Sequence, residues 1–208
     1  MLLPVLGYAQ SNYKPGYVVN LKGDTIKGFI DYRQWDKDPK QFSFKNNSGA
    51  VQEFNVQNAK AFAINGLEDY EKYIVTSSQD PLDVTQLTVV LDTASRMDTV
   101  FLHTIVKGHY LSLYSYRDDI KTRFYILENG DVQPQELAYH AYLDKETALS
   151  VNYVNRYRIQ LQYEAQKYGV GSALEGLISH ADYTEQGLSK VVSKINGNTV
   201  SEHISQSR

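Results

Sequence analysis

Hydrophobic and polar positions alternate with a period of two over much of the chain, from Tyr17 to Leu127. Such alternation is typical of strands that bury one face, and turn dipeptides such as Asn65-Gly66 and Asn129-Gly130 separate the runs. We therefore predict an antiparallel β structure built of hairpins, arranged like a sandwich or an open barrel. After the first hairpin, the predicted strands have the sequences QFSFK, VQEF, AKAFAIN, YEKYIVTS, LTVVLD, TVFLHTIVKG, HYLSLYSYR and KTRFYILENG.

The first hairpin lies in the sequence YVVNLKGDTIKGFIDYRQW. Gly23-Asp24 is a two-residue loop whose leading glycine suits a type II′ turn, and this turn pairs Lys22 with Thr25. The same register places Leu21 opposite Ile26. Both faces of the hairpin are then partly apolar, so we expect each face to be covered.

The period changes after Asp144, where helical spacing replaces alternation. Ser172 to Glu175 and Asp182 to Glu185 have the spacing of capping boxes, and each predicts a short helix. Because strands come first and helices last, we predict an α+β fold with about three C-terminal helices packed on the β-rich part. The first helix ends near Gly169 and is predicted by a stripe of residues about four positions apart, namely Tyr153, Tyr157, Leu161, Ala165 and Tyr168.

The chain divides into four predicted segments. Residues 1–9 are the remnant of a secretion signal, and residues 10–145 form the antiparallel β region. Residues 146–197 form a helical region of the same domain, and residues 198–208 form a polar tail or linker. A chain of 208 residues with 42% hydrophobic content has the size of one globular domain.

The first nine residues resemble the end of a secretion signal. Met1 to Leu6 are mostly apolar, and Gly7 and Ala9 are small residues at the −3 and −1 positions of a cut before Gln10. A complete signal also has a basic start and a longer apolar run. We therefore infer that the beginning of the signal is missing here, because it was trimmed or because its first residue was wrongly assigned. The alternative is a short apolar N-terminus packed against the core.

Composition excludes several kinds of site. The chain has no cysteine, so it forms no disulfide and no thiolate metal site. Lys and Arg number 21 against 24 Asp and Glu, and no basic block is present, so we expect no nucleic acid partner. No apolar run approaches the roughly 20 residues that a membrane-spanning helix needs.

No arrangement of residues predicts catalysis. In a straight strand His103 and His109 lie about 20 Å apart, too far to share a metal, although a bend at Gly108 would bring them closer. There is no Gly-x-Ser-x-Gly motif. The acidic pairs Glu68-Asp69 and Asp118-Asp119 lie in predicted turns, where aspartate is common, so a hydrolase with dispersed carboxylates is only a third possibility. We predict no enzyme activity, no metal and no cofactor.

Aromatic side chains in or beside the hairpins form the candidate contact surface. Tyr114 and Tyr116 lie on one face of a predicted strand, and Leu111 and Leu113 lie on the other. If the leucines point inward, the tyrosines form an exposed ladder that can stack on sugars or on a peptide. The alternative, which we favour, is that the tyrosine-bearing helix covers this ladder. The candidate contact residues are Trp35, Tyr110, Tyr114, Tyr116 and Tyr125.

Three stretches resemble a known family. They are GDTIKGFIDYRQWDKDPKQFSFK, FLHTIVKGHYLSLYSYRDD and FYILENG, and the resemblance covers residues 17–197. They are similar to the soluble N-terminal region of uncharacterised outer-membrane proteins from Bacteroidota. The clearest parts are the hairpin Gly23–Tyr32, the spacing from Trp35 to Pro39, and the run from Val106 to Tyr114.

The resemblance implies a location and an architecture. In this family a secretion signal precedes a β-rich domain and a few helices, often followed by a C-terminal membrane β-barrel. It implies an envelope location, periplasmic or associated with the outer membrane, and no catalytic residues. This chain ends at Arg208, where a barrel would begin, so the expected partner is an envelope protein or the chain's own barrel.

We therefore predict a non-catalytic cell-envelope module that acts by protein contact. The alternatives are a glycan- or peptide-binding domain that uses the tyrosine face, and a hydrolase with an unrecognised site.

Overall fold

A computed structural model describes residues 12–147 and 150–197 of the chain. These residues form an antiparallel sheet of ten strands, a separate two-stranded sheet and three C-terminal helices. The arrangement confirms the predicted α+β class. The predicted secretion signal, with Leu2, Val5 and Leu6, lies outside the described residues, as does the predicted polar tail.

The strands of the large sheet are β1 (Tyr13–Asn20), β2 (Thr25–Asp31), β3 (Gln41–Asn46), β4 (Val51–Asn55), β5 (Ala59–Ile64), β6 (Glu68–Ser78), β7 (Ser95–Val106), β8 (Leu111–Arg117), β9 (Thr122–Glu128) and β10 (Gln135–Glu136). Across the sheet they lie in the order β10-β9-β8-β7-β6-β5-β1-β2-β3-β4. A short 3-10 helix, Val84–Gln86, lies between β6 and β7.

One face of the sheet, which we call the first face, buries an aromatic cluster formed by side chains of strands β1 to β7. Phe42 of β3 packs on Phe62 of β5, with ring centroids 4.0 Å apart, and reaches Phe101 of β7 at 6.1 Å. In a flat sheet β3 and β7 would be five strand spacings, about 24 Å, apart. The sheet therefore curls toward its first face in this half.

Farther along the first face, three helices cover β8 and β9. They are α1 (Arg156–Lys167), α2 (Gly171–Ser179) and α3 (Glu185–Ile195). Their apolar sides pack on alternate residues of the two strands, as the helical spacing predicts. The buried cluster includes Leu111, Leu113, Phe124, Ile126, Tyr157, Leu161, Leu188, Val191, Val192 and Ile195.

The opposite, second face is enclosed where β6 to β10 curl the other way. The hydroxyl groups of Ser77 on β6 and Tyr125 on β9 are 2.8 Å apart, and the backbone N–H of Ser78 donates to Glu136 on β10 at 2.8 Å. A flat sheet would place β6 and β9 about 14 Å apart. This half is therefore barrel-like, and its interior buries Val75, Val100, Leu102, Tyr114, Tyr116 and Tyr125.

The first hairpin has a longer turn than the sequence predicts. Val19, not Lys22, pairs with Thr25, so the predicted register is wrong. The side-chain oxygen of Asn20 accepts hydrogen bonds from the backbone N–H groups of Lys22 and Asp24, at 2.9 and 3.0 Å. Asn20 therefore closes a wider turn, because its side chain replaces strand pairing with local bonds.

The connection between β6 and β7 is the second place where the structure differs from the predicted strands. The predicted strand LTVVLD is absent there, and β7 begins at Ser95, before the predicted strand TVFLHTIVKG. Val89 and Val90 are exposed. The segment is not paired with a neighbouring strand. Instead, the backbone carbonyl of Thr88 accepts a hydrogen bond from Leu143 N–H at 2.9 Å.

The helical region differs from the prediction at its start. Val151–Val154 forms strand β12, paired with β11 (His140–Leu143), so Tyr153 does not belong to the helical stripe and the predicted helical segment contains a strand. The helix α1 begins after Asn155.

The capping residues of the next two helices also differ from the predicted boxes. The helix α2 begins at Gly171, so Ser172 lies inside the helix and does not cap it. Thr184 caps α3 by accepting a hydrogen bond from Gly187 N–H at 3.1 Å, two residues after the predicted start of the box at Asp182. None of the described helices has the length and apolarity needed to cross a bilayer.

Candidate functional site

The predicted contact residues lie in different parts of the molecule. Trp35 is half-buried in the aromatic cluster of the first face, where its ring lies 5.3 Å from Tyr32 and 6.0 Å from Tyr70. Tyr110 is 39% exposed and stacks on Tyr168, the residue that follows α1, with ring centroids 4.6 Å apart. These two aromatics therefore do not belong to one surface.

The other three predicted contact residues are buried. Tyr114 and Tyr125 have no exposed surface, and Tyr116 is 6% exposed. The exposed-ladder hypothesis is therefore wrong, and so is the alternative in which a helix covers the ladder. The helices pack on the first face, over Leu113, whereas the tyrosines lie on the second face inside the barrel-like half.

Tyr114 belongs to a polar network at the mouth of this interior. Its hydroxyl contacts Tyr73 and Glu71, at 3.1 Å each, and Lys107 donates to it at 2.7 Å. Burial raises the pKa of Glu71, but hydrogen bonds from Lys107 and Tyr73 outweigh burial and hold that pKa below its ordinary value. The network pairs its charges internally and stabilises the strand pairing.

A second network of charged residues closes the other end of the barrel-like half. Lys121 Nζ lies 2.8 Å from Asp80 Oδ1, and both side chains are nearly inaccessible to solvent. His140 Nδ1 lies 3.1 Å from the second oxygen of Asp80, and Arg123 pairs with Asp118 at 2.9 Å. Burial lowers the pKa of Lys121. These contacts connect the end of β6 with the β8–β9 hairpin and with β11.

Asp38 lies in the loop that connects β2 to β3, and this loop contacts Arg117 at the end of β8. Its carboxylate accepts a hydrogen bond from Arg117 N–H at 2.7 Å, and its own N–H donates to Arg117 O at 2.9 Å. Burial, helped by the charge of nearby Glu68, raises the pKa of Asp38 to about 7 against the lowering effect of the bonds from Arg117 and Tyr70. Glu68 accepts hydrogen bonds from the hydroxyls of Tyr32 and Tyr70. Asp38 lines neither of the clefts described below.

The histidines and acidic pairs singled out from the sequence are dispersed. His103 lies on β7 beside Tyr70, and His109 precedes β8, where it contacts the ring of Tyr110. Glu68 and Asp69 lie in β6 rather than in the predicted turn, because the strand begins at Glu68. Within residues 12–147 and 150–197, no three His, Asp or Glu side chains are grouped so that they could hold a metal ion.

Two shallow clefts lie next to the helices. The first, about 410 Å³, has mainly apolar and aromatic walls that include Leu82, Ile120, Tyr139 and Tyr183. The second, about 430 Å³, is a groove between α1 and α2. Its walls are mostly polar and consist of Arg158, Ile159, Gln162, Gln166, Ser172, Glu175, Ile178 and Ser179.

The outer side of α1 carries two large exposed residues beside this groove. Ile159 and Tyr163 are 73% and 64% exposed, and one helical turn separates them, so they lie on the same side of α1. The core side is formed by Leu161 and its neighbours. We call Ile159, Tyr163 and the adjacent groove the helical surface.

The sequence analysis did not identify this surface, because it concentrated on the aromatic stripe that proves to be buried. The available signal was the helical spacing of Ile159 and Tyr163, which places both opposite that stripe.

The chain was compared with protein-family models, with curated proteins and with solved structures, and no match was found in any of the three.

Proposed function

We propose that this protein is a non-catalytic module of the cell envelope that acts by binding another protein. The observation that carries the proposal is the helical surface, where Ile159 and Tyr163 are exposed next to a groove. The resemblance of residues 17–197 to the soluble region of Bacteroidota outer-membrane proteins supports the location. We place the protein in the periplasm or at the outer membrane, as the soluble domain of an outer-membrane protein.

The chemistry of the helical surface suits a protein partner. Burying a large apolar side chain contributes about 1.5–3 kcal/mol, and tyrosine is frequent among the residues that dominate binding energy. Gln162 and Gln166 line the same groove as Ile159; the Gln162 amide N–H donates to Gly171 O, and the Gln162 oxygen and the Gln166 amide are groups that can bond a partner. A partner segment can therefore bury the apolar pair while its backbone is bonded in the groove.

The charged groups of the interior support a structural role. Lys121 pairs with Asp80, and Lys107 pairs with Glu71. The carboxyl of Asp38 is bonded to the backbone of the β8–β9 hairpin. These groups connect strands to one another. Burial shifts the pKa values of Asp38 and Lys121, and hydrogen bonds within a network shift those of Glu71 and Lys107, so the perturbed values have structural causes.

Affinity capture from cross-linked envelopes of the native host tests the contact role. We expect one envelope protein to be enriched by the wild-type chain and to decrease about tenfold with Ile159→Ser or Tyr163→Ala. Ile74→Ser is the matched control, because Ile74 is 55% exposed on the sheet, away from α1. Equal capture by all variants would exclude the helical surface as the contact site.

Separation of the cytosolic, periplasmic and outer-membrane fractions of the native organism tests the location independently. An antibody against the protein should detect it in the periplasmic or the outer-membrane fraction. Recovery with cytosolic markers would refute the envelope assignment, whatever the capture experiment shows.

A further inference from the structure

The strand β7 has a free edge along its first half. The strand β6 pairs with β7 along most of its length, whereas β8 pairs with β7 only from His103 to Val106. On the side away from β6, the segment Ser95 to Thr99 therefore has no strand partner among the residues that the structure describes. The first three residues of this segment are exposed, Met97 by 66%. We call residues 95–99 the free edge.

Backbone groups of the free edge are available for pairing. Gln79 N–H donates to Ala94 O at 2.8 Å, so this pair directs its backbone groups toward each other, and the direction alternates along β7. The residues whose groups point away from β6 are Ser95, Met97 and Thr99. Within the described parts of the chain, Thr99 N–H donates to Asp98 Oδ1 at 2.8 Å and the other outward groups have no partner. The segment also lacks proline and lysine, which commonly block free edges.

The side chains of the free edge are complementary to their own copy. The sequence is Ser95-Arg96-Met97-Asp98-Thr99, with opposite charges on the two sides of the methionine. If two copies pair in antiparallel direction about Met97, Arg96 lies opposite the partner's Asp98, and Asp98 lies opposite the partner's Arg96. Moving the axis by one residue would place Arg96 opposite Arg96, or Asp98 opposite Asp98. Like charges directly opposite each other destabilise a strand pair, so the charges select the register about Met97.

We propose that the free edge of β7 binds the free edge of a second copy of this chain, as an antiparallel strand pair with a two-fold axis through Met97. The N–H and C=O of Met97 are exchanged with those of the partner's Met97, and Ser95 N–H donates to the partner's Thr99 C=O. Arg96 and the partner's Asp98 form a non-hydrogen-bonded pair, in which side chains approach most closely. Within one chain Arg96 lies 2.9 Å from Asp98, so the dimer brings together charges of alternating sign.

The free edge has the right extent for this pairing. It ends before β8 begins to pair with β7, and Arg117 at the end of β8 is bonded to Asp38. Pairing at an edge does not require a flat face, because a two-stranded ribbon twists along its own length. About five residues per chain take part, far fewer than the 20–30 a side of a stable interface, so we expect a weak dimer with a dissociation constant on the order of 100 µM. The proposal does not rest on the envelope location or on the helical surface.

Sedimentation equilibrium of the full chain at micromolar to millimolar concentrations tests the charge pairing. Each cross-strand pair occurs twice in the dimer, so Arg96→Glu or Asp98→Arg alone should raise the dissociation constant about tenfold or more. The double variant, Arg96→Glu with Asp98→Arg, should restore it to within about threefold of the wild type, since every pair is then reversed. Arg33→Glu is the matched control, because Arg33 also pairs with an aspartate two residues away, Asp31, and should leave association unchanged.

A proline at the centre of the free edge tests the backbone pairing. Met97→Pro removes an N–H that points away from β6, so it should abolish association without removing a bond between β6 and β7. Met97→Ala keeps that N–H and should weaken association by only about threefold, through the loss of the methionine contact. Hydrogen exchange of the Met97 amide in the wild type should become slower as the protein concentration rises.

Three results would overturn the proposal. The first is a monomer at every concentration, as expected if another protein or another segment of this chain pairs with the free edge. The second is a dimer that tolerates both Arg96→Glu and Met97→Pro. The third is a double charge variant as weak as the single ones. Thermal unfolding of each variant at low concentration separates lost association from lost folding.

Discussion

The carboxyl of Asp38 should make the stability of this protein depend on pH in the neutral range. Burial raises its pKa to about 7 from an ordinary value of 3.8, while bonds from Arg117 N–H and from Tyr70 oppose the shift. We expect Asp38→Asn to remove this dependence, because an amide keeps a hydrogen-bond acceptor for Arg117 N–H but never ionises.

The sign and the size of the effect follow from proton binding. A raised pKa means that the folded state binds the proton more tightly than the unfolded chain does. The stabilisation is therefore complete below about pH 3.8 and is lost as the pH rises through about 7. Each pKa unit corresponds to about 1.36 kcal/mol, so the full shift would cost about 4 kcal/mol. Asp38 keeps some solvent exposure, so we expect about 2–4 kcal/mol.

Urea unfolding between pH 4 and pH 8 measures this cost as the difference between the wild type and Asp38→Asn. The two proteins should have similar free energies of unfolding at pH 4, and the variant should be more stable at pH 8. Asp36→Asn removes an exposed carboxyl from the same loop and serves as the control, with the pH profile of the wild type expected. Parallel profiles for the wild type and Asp38→Asn would refute the reasoning.

Substitutions at three other buried contacts should also change the free energy of unfolding, which urea unfolding measures. Asn196→Ala should cost about 2–4 kcal/mol, because the amide bonds both the N–H and the C=O of buried Leu111. Gly108→Ala should also destabilise, since a Cβ there would lie 2.1 Å from the Asn196 side chain, and less so in the Asn196→Ala background. Lys121→Met should cost about 3–5 kcal/mol by leaving Asp80 buried without its cation, and adding Asp80→Asn should recover much of that loss.

Alternation identified most strands because one residue in two enters a buried cluster. In β3, Phe42 and Phe44 are buried while Ser43 between them is partly exposed, and that contrast is visible in the sequence. The same criterion failed for LTVVLD, where Val89 and Val90 are exposed. Hydrophobic residues show that a segment can form a strand, but pairing also needs the free edge of a neighbouring strand.

Register and helix boundaries were less predictable, since single polar side chains decide them. Asn20 bonds two backbone N–H groups and lengthens the first turn, although Gly23-Asp24 alone suits a two-residue loop. Tyr153 fits the period of α1 but is placed in β12, whose pairing with β11 competes with helix formation. Local spacing cannot rank such alternatives, because their energies differ by only about 1 kcal/mol.

The candidate contact surface was mispredicted because the curl of the sheet is a long-range property. From the sequence, Tyr114 lies on the face opposite Leu113, and this is correct. Whether that face meets solvent depends on the closing contacts between β6 and β10, which are far apart in the chain.

The excess of tyrosine over phenylalanine, 17 against 7, has a structural explanation in the contacts between the helical region and the sheet. Where the two curled halves and the helices meet, a ring must fill volume while buried backbone groups still need bonding partners. Tyr157 donates to Ala181 O at 2.7 Å, and Tyr183 donates to Leu137 O at 2.8 Å while accepting from Phe124 N–H. Phenylalanine would fill the same space but lose these bonds. Ala181 O would keep its bonds from Arg158, whereas Leu137 O would lose the bond from the Tyr183 hydroxyl, and a buried group left unpaired costs about 1–3 kcal/mol. Tyrosine abundance in this chain therefore reflects the packing of the helical region on the sheet at least as much as a surface for binding.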